Sequence, residues 1–202
     1  MVHKRAAIAF GGMWVWPGGR VDPGDRVAGA DEMEAARRAC VREAAEEAGV
    51  VVDPAGLVPF CHFTPPMMSI KRFATWFFVG DSPVGVVTID DGEIQAHRWM
   101  SPADAIRRHR SGEIELAPPT WITLARLNEF KTPAEVIAYA RANEPMIFCT
   151  RIGESPEGPV ALYAGDAGYE ATDPSIPGDR HRLIMSTAGW TYTRPDGTIV
   201  TT

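Results

Sequence analysis

Cysteine is scarce in this 202-residue chain: Cys40, Cys61 and Cys149 stand far apart, with no Cys-x-x-Cys pair among them. An odd, scattered set excludes a disulfide framework and a structural zinc site, and points to a reducing compartment, the cytoplasm. Long apolar runs are lacking too. None approaches the ~20 residues of a membrane-spanning helix, so no membrane partner is expected. Positive charge is in deficit, with 20 Lys and Arg against 26 Asp and Glu and a formal net charge of −6. Nonspecific nucleic-acid binding, which needs many cationic contacts to phosphate, is thereby excluded. A phosphorylated substrate stays open if metal ions supply the positive charge. A secretory leader is imitated by His3-Lys4-Arg5 and the apolar run Ala6 to Trp16, but Gly11-Gly12 interrupts that run and no small-x-small cleavage site follows.

Glycine and proline, in contrast, are abundant. The 19 glycines and 17 prolines exceed their usual joint share of about 12%. They punctuate a chain that otherwise reads as mixed α/β. Short strands are expected at Val2 to Arg5 and Met13 to Trp16, followed by a Pro17-Gly18-Gly19 break and an Asp-Pro-Gly-Asp turn. Asp31 is an N-cap with Glu34 at the capping-box position, and Ala, Arg and Glu carry a helix through Ala48 to a stop at Gly49. Val50 to Val52, Leu57 to Phe63, Arg72 to Val79, Val84 to Ile89 and His97 to Met100 read as strands. Helices are expected from Ser101 to about Arg110, at Trp121 to Phe130 and at Pro133 to Arg141. From 145 onward, β-like runs (Met146 to Ile152, Val160 to Tyr163, Arg182 to Ser186, Trp190 to Thr193) alternate with turn residues. The expected organisation is a main domain over 1–131, then a helix and a small β-rich extension over 132–202.

The helix ending at Gly49 carries the chemistry. At 100° per residue, Glu43, Glu46 and Glu47 share one stripe, with Val41, Ala44, Ala45 and Ala48 opposite. Ala36 and Ala39 lie on the carboxylate side and leave room above it. Three clustered carboxylates repel by about 0.2–0.5 kcal/mol per pair, which a solvated surface face tolerates. The other reading is a site for a hard cation, around which oxygen ligands gather. The Pro-Gly-Gly bend upstream favours the second, because a turn without side-chain bulk can bring a backbone carbonyl to the same cation.

These residues resemble a known family. Arg42-Glu43-Ala44-Ala45-Glu46-Glu47-Ala48-Gly49-Val50 matches the second half of the Nudix hydrolase box, and Trp16-Pro17-Gly18-Gly19-Arg20-Val21-Asp22-Pro23-Gly24-Asp25 is similar to its first half. Asp25 stands where the family has Glu. Sixteen residues separate Asp25 from Arg42, where the family pattern has seven. Such an insertion resembles a subgroup related to peroxisomal coenzyme A diphosphatases, as do Lys71-Arg72-Phe73-Ala74-Thr75-Trp76-Phe77-Phe78 and Pro118-Pro119-Thr120 with Leu124 and Leu127. Ala74 replaces an Asp of that subgroup, and its fuller signature upstream of Pro-Gly-Gly is absent.

The resemblance implies an α/β/α sandwich with a mixed sheet, and hydrolysis of a nucleoside diphosphate linked to another moiety, coenzyme A or acyl-coenzyme A among the choices. It implies Mg²⁺ or Mn²⁺ held by Glu43, Glu46, Glu47 and the Gly18 carbonyl. The general base would be one of these glutamates or a downstream acid. Glu93, six residues before Trp99, has the family's spacing, with Asp90 and Asp91 as alternatives. Arg42 would orient the glutamates. Lys71 and Arg72 could meet phosphate, Trp14 could stack on a nucleobase or pack in the core, and His97 could touch substrate. Trp16 is expected beneath the sheet, and Met67-Met68 beside an apolar substrate tail. His62 and Cys40 read as packing residues. The family's first strand is represented only by Met1 to Arg5, so the natural protein is expected to start upstream. The β-rich extension would shape the substrate cleft or a homodimer interface. The rival function is a Nudix-fold sensor that binds a nucleotide-like ligand without turning it over.

Overall fold

A computed structural model describes residues 1–6, 10–67, 73–81, 86–90 and 92–201. Its first sheet has the order β2-β1-β5, from β1 (Val2–Lys4), β2 (Trp14–Val15) and β5 (Ile94–His97), both pairings antiparallel. The short N-terminal segment is thus the middle strand, paired on both sides. Helix α1 (Glu32–Ala48) follows β2 after a 3-10 turn at Pro23–Asp25. Asp31 caps α1 by accepting from the Glu34 N–H, and Gly49 ends it in the left-handed region at φ 64°, which a side chain would resist.

The second sheet is mixed, with the order β4-β3-β6 from β3 (Val58–Thr64), β4 (Thr75–Val79) and β6 (Met146–Cys149). β3 pairs antiparallel to β4 and parallel to β6. Helices α2 (Pro102–Arg110), α3 (Pro118–Leu127) and α4 (Pro133–Ala142) lie between β5 and β6 in the chain. The third sheet is an antiparallel meander of β7 (Arg151–Ser155), β8 (Gly158–Leu162), β9 (Arg182–Ser186), β10 (Gly189–Thr193) and β11 (Ile199–Thr201). The larger apolar core runs from Trp14 and Phe60 through Trp121 to Phe148, Tyr163 and Tyr192, and a smaller one joins Val2 of β1, Ala48 of α1 and Ile94 of β5. The first strand of the extension therefore completes the mixed sheet, and its meander packs on the larger core.

Several expected elements are displaced. Residues 86–90 form no strand, and 82–85 lie outside the described residues. The Thr88 and Asp90 N–H groups instead donate to the Ala48 and Glu47 carbonyls at the end of α1, at 2.9 and 3.4 Å. Those donors serve a helix terminus and are lost to a ladder. Val50 to Val52 is irregular, with Val51 exposed. The strand expected at 97–100 lies three residues earlier, where its donors and acceptors meet β1. Pro118 and Pro119 start α3 rather than precede it. Thr150 divides Met146 to Ile152 between two sheets.

Helix α1 also turns differently from the wheel's simplest reading. Ala35, Ala39, Ala44, Glu47 and Ala48 are buried, whereas Ala45 and Glu46 are exposed. The inward arc is centred near Glu47, so the carboxylate stripe borders the interior instead of opposing it.

Candidate active site

β2 leads directly into Pro17-Gly18-Gly19, which lies against the last turns of α1. The Gly18 N–H donates to Glu47 Oε2 at 3.0 Å. A Cβ on Gly19 would sit 2.1 Å from Glu43 Oε1. The turn approaches this closely because Gly19 lacks a side chain, whereas a Cβ on Gly18 would meet nothing within 4 Å. Two glutamates of the stripe are thus seated against two successive glycines.

Arg42 is the hub of the arrangement. Its Nη1 donates to Glu43 Oε1 and to Glu46 Oε2, both at 2.9 Å. Its Nη2 donates to the Arg20 carbonyl at 2.9 Å and to Asp25 Oδ2 at 3.0 Å, while Nε reaches Asp25 Oδ1 at 3.3 Å. The buried Asp25 carboxylate also accepts from the Asp22 N–H at 2.8 Å. Asp25, on its 3-10 turn, therefore anchors Arg42, and the exposed residues 26–30 carry the chain on to the Asp31 cap. The hydrogen bond from Arg42 holds the Asp25 carboxyl below the ordinary carboxylate range, and the pairing with Asp25 raises Arg42 in turn. Glu43 is pushed up, chiefly by burial, against the opposing pull of Arg42.

Lys4 was not foreseen as a site residue. Its Nζ donates to Glu47 Oε1 at 2.6 Å and to the Gly18 carbonyl at 3.1 Å. The signal available in sequence was strand alternation: Val2 and Lys4 share one face of β1, and both are buried.

The downstream acids sit at the end of α1. Asp90 is tied to the Glu47 carbonyl through its N–H, and its carboxylate accepts from the Glu93 and Ile94 N–H groups at 3.3 and 3.1 Å. Glu93 is exposed, and its carbonyl accepts from the Arg5 N–H. Asp91, Lys71, Arg72 and Met68 lie outside the described residues. Met67 is exposed.

A cavity of about 770 Å³ opens beside the Gly18-Gly19 turn. Ala39 and Ala44 of α1 line it together with Phe60 and Phe78, and so do Arg20, Arg26 and Arg98. Trp16 lines the cavity, edge-on to Phe77 at 5.7 Å. Trp14, expected either to stack on a nucleobase or to pack in the core, is buried in the core, stacked on His3 at 5.2 Å and capped by Arg98. His97 lines the cavity, and His62 packs on Trp76.

For a divalent ion, the donor set is chemically apt. The Glu43, Glu46 and Glu47 carboxylates and the Gly18 carbonyl are hard oxygens, and the two glycines leave the space in front of them free of bulk. Among the described residues no three His, Cys, Asp or Glu side chains converge as a ready cluster, and Arg42 and Lys4 engage these carboxylates. The residues fit a metal once those cations yield.

A model of the NUDIX domain matches residues 1–120. The chain is 28% identical over 123 residues to an acyl-coenzyme A diphosphatase of Xenopus laevis, a match covering 57% of this chain and 31% of that protein. It is 33% identical over 102 residues to an acyl-coenzyme A diphosphatase of Gallus gallus, covering 48% of this chain and 26% of that protein. The matches thus span a third or less of these relatives. In structure the chain is similar to a NUDIX hydrolase from Alicyclobacillus acidocaldarius, with a TM-score of 0.60 and 21% identity over 68% of this chain and 86% of that one. That likeness is one of fold. The box residues held around Arg42 and the domain match over 1–120 make this chain a member of the Nudix hydrolase family.

Proposed function

We propose that the protein cleaves the diphosphate linkage of a nucleoside diphosphate joined to another moiety, with coenzyme A or acyl-coenzyme A as substrate, and uses Mg²⁺ or Mn²⁺. The observation that carries this reading is the junction of the Gly18-Gly19 turn with one large, mainly apolar cavity. A diphosphate placed at the turn has an apolar chamber beside it for the rest of the molecule. The names of the two relatives support coenzyme A esters in particular.

Glu43, Glu46, Glu47 and the Gly18 carbonyl would hold the metal, which supplies positive charge against the diphosphate and acidifies water near neutral pH. Arg42 fixes the rotamers of Glu43 and Glu46, and Asp25 fixes Arg42. Arg20 and Arg26, at the cavity wall, offer further charge to phosphate. The base that takes the proton from attacking water is one of the glutamates or an acid of the Asp90 to Glu93 turn, which α1 holds at its own end. Water oxygen bonds to phosphorus, the anhydride P–O bond breaks, and two phosphate monoesters leave.

The extension, taken as residues 132–202, is proposed to wall the cleft. Ile152 and Tyr163 join Phe63, Pro65 and Pro66 around a second cavity of about 290 Å³, which shares Phe73, Thr75 and Pro119 with the first. No helix among the described residues is long and apolar enough to cross a membrane. The three free thiols support a cytoplasmic setting.

The test is a substrate panel: coenzyme A, acyl-coenzyme A, ADP-ribose, NADH, diadenosine polyphosphates and oxidised nucleoside triphosphates, each with Mg²⁺, Mn²⁺ or a chelator. The expected result is metal-dependent release of a phosphate monoester from the coenzyme A compounds. Preference for another diphosphate overturns the substrate assignment. Ligand and metal binding with no turnover across the panel decides for the sensor.

A further inference from the structure

We propose that Lys4 is a built-in counter-cation that competes with the divalent ion for the Gly18 carbonyl and the Glu47 carboxylate, and so sets the metal affinity of the site. The inference rests on the metal reading above. Its ground is that one ammonium donates to both oxygens at once, at 3.1 and 2.6 Å. The other Glu47 oxygen accepts from the Gly18 N–H, so both carboxylate oxygens are already engaged. Each oxygen keeps a second lone pair, so the competition is electrostatic: an ammonium this close to both oxygens repels a dication from them.

Burial makes the compensation obligatory. The side chains of Lys4 and Glu47 are only 10% and 4% exposed. A carboxylate so enclosed, left without a cation, is strongly destabilising. Lys4 therefore keeps the Pro-Gly-Gly turn and α1 in register, and the ion has to displace it.

The backbone is built for that exchange. The Lys4 N–H donates to the Met13 carbonyl, and its own carbonyl accepts from Gly12, so the strand stays fixed while the side chain alone can move. The β1–β5 register shifts between His3 and Lys4. Such irregularities re-aim a side chain out of the regular ladder. Lys4 also lines the cavity, which gives the displaced ammonium somewhere to go on the substrate side.

The experiment is Mn²⁺ titration of the full chain by calorimetry at fixed pH, without substrate, for wild type, K4M, K4Q and K4R, with melting curves in chelator. K4Q keeps an amide donor without the charge, on a side chain one bond shorter, so it reports even where K4M folds poorly. Removing the charge should tighten Mn²⁺ binding at least tenfold in K4Q and K4M, lower their melting temperatures in chelator and enlarge the stabilisation by Mn²⁺. K4R should stay near wild type. Equal or weaker Mn²⁺ binding by folded K4Q overturns the competition while leaving the metal site standing. Absence of Mn²⁺ binding in every protein overturns both.

Discussion

Replacing Asp25 by Asn tests how this chain tolerates its long insertion. The substitution keeps the shape and removes the charge. Asp25 Oδ1 accepts from Arg42 Nε, and Oδ2 accepts from Arg42 Nη2 and from the Asp22 N–H. Whichever way the new amide turns, its NH₂ faces a donor. The better orientation places NH₂ toward Arg42 Nε and forfeits one hydrogen bond to a charged group, worth about 1.5–3 kcal/mol. The larger cost of a severed buried ion pair, about 3–5 kcal/mol, does not apply in full. Arg42 keeps Glu43 and Glu46, and its side chain is 29% exposed. A loss of about 2 kcal/mol is expected, which at about 2–4 °C per kcal/mol for a chain of this size lowers the melting temperature by about 4–8 °C. The pH dependence has a definite sign. Arg42 depresses the folded-state pKa of Asp25. The stabilisation is therefore fully present above the unfolded value near ~3.9 and is lost as pH falls through the folded one. Thermal melts in chelator should show a constant gap between wild type and D25N from about pH 5 to 7, narrowing below about pH 4. A gap under about 1 °C at pH 7 would refute the anchoring role of the Asp25–Arg42 contact.

Glu46→Gln and Glu47→Gln should each lower turnover by orders of magnitude, but only the second should also lower the melting temperature. Glu46 is 58% exposed, whereas Glu47 faces the buried Lys4 ammonium. Near-normal turnover in both variants would sink the metal assignment. Asp166→Asn should cost about 3–5 kcal/mol at neutral pH, read by denaturant unfolding. Its carboxylate is fully enclosed and takes two bonds from Arg182, at 2.6 and 2.7 Å. Burial pushes this carboxyl up, but Arg182 and the His181 and Gly168 N–H groups hold it low. The penalty should fade as pH falls through the folded value, and a cost under about 1 kcal/mol at pH 7 would contradict the buried-pair reading.

Local signals were read correctly where the structure is local. Asp31 caps α1 and Gly49 ends it, although the Glu34 carboxylate pairs with Arg37 and Arg38, and Arg42 meets Glu46 because residues four apart on a helix are neighbours. The orientation of α1 was less legible. Its composition suggests that glutamates face water and alanines face the core. The partner that lets Glu47 turn inward is Lys4, 43 residues away on β1, and no window of helix sequence contains it. The same non-locality explains residues 86–90. Val86, Val87 and Ile89 have strand composition, yet the N–H groups of Thr88 and Asp90 are claimed by the last carbonyls of α1. Trp14 and Trp16 were separable only by their neighbours, since both flank the same turn and neither differs in chemistry.

The lengthened box shows what the family pattern constrains in physical terms. An insertion between Asp25 and Arg42 would detach the carboxylate from the guanidinium if chain distance were the governing quantity. It does not, because the 3-10 turn closed by Pro23 and by the reciprocal Asp22 and Asp25 bonds presents the carboxylate from outside the helix. Residues 26–31 then return the chain to the Asp31 cap at negligible closure cost, since that cost grows only logarithmically with loop length. The shorter Asp suffices because the turn approaches Arg42 closely enough for two contacts. The spacing differs from the family pattern, yet acids, guanidinium and glycines converge here. The Lys4 ammonium joins that convergence from a third segment, β1. A site assembled from three separate segments is held by mutual charge compensation, so each cation that fixes a glutamate also decides how readily that glutamate is given up to a metal.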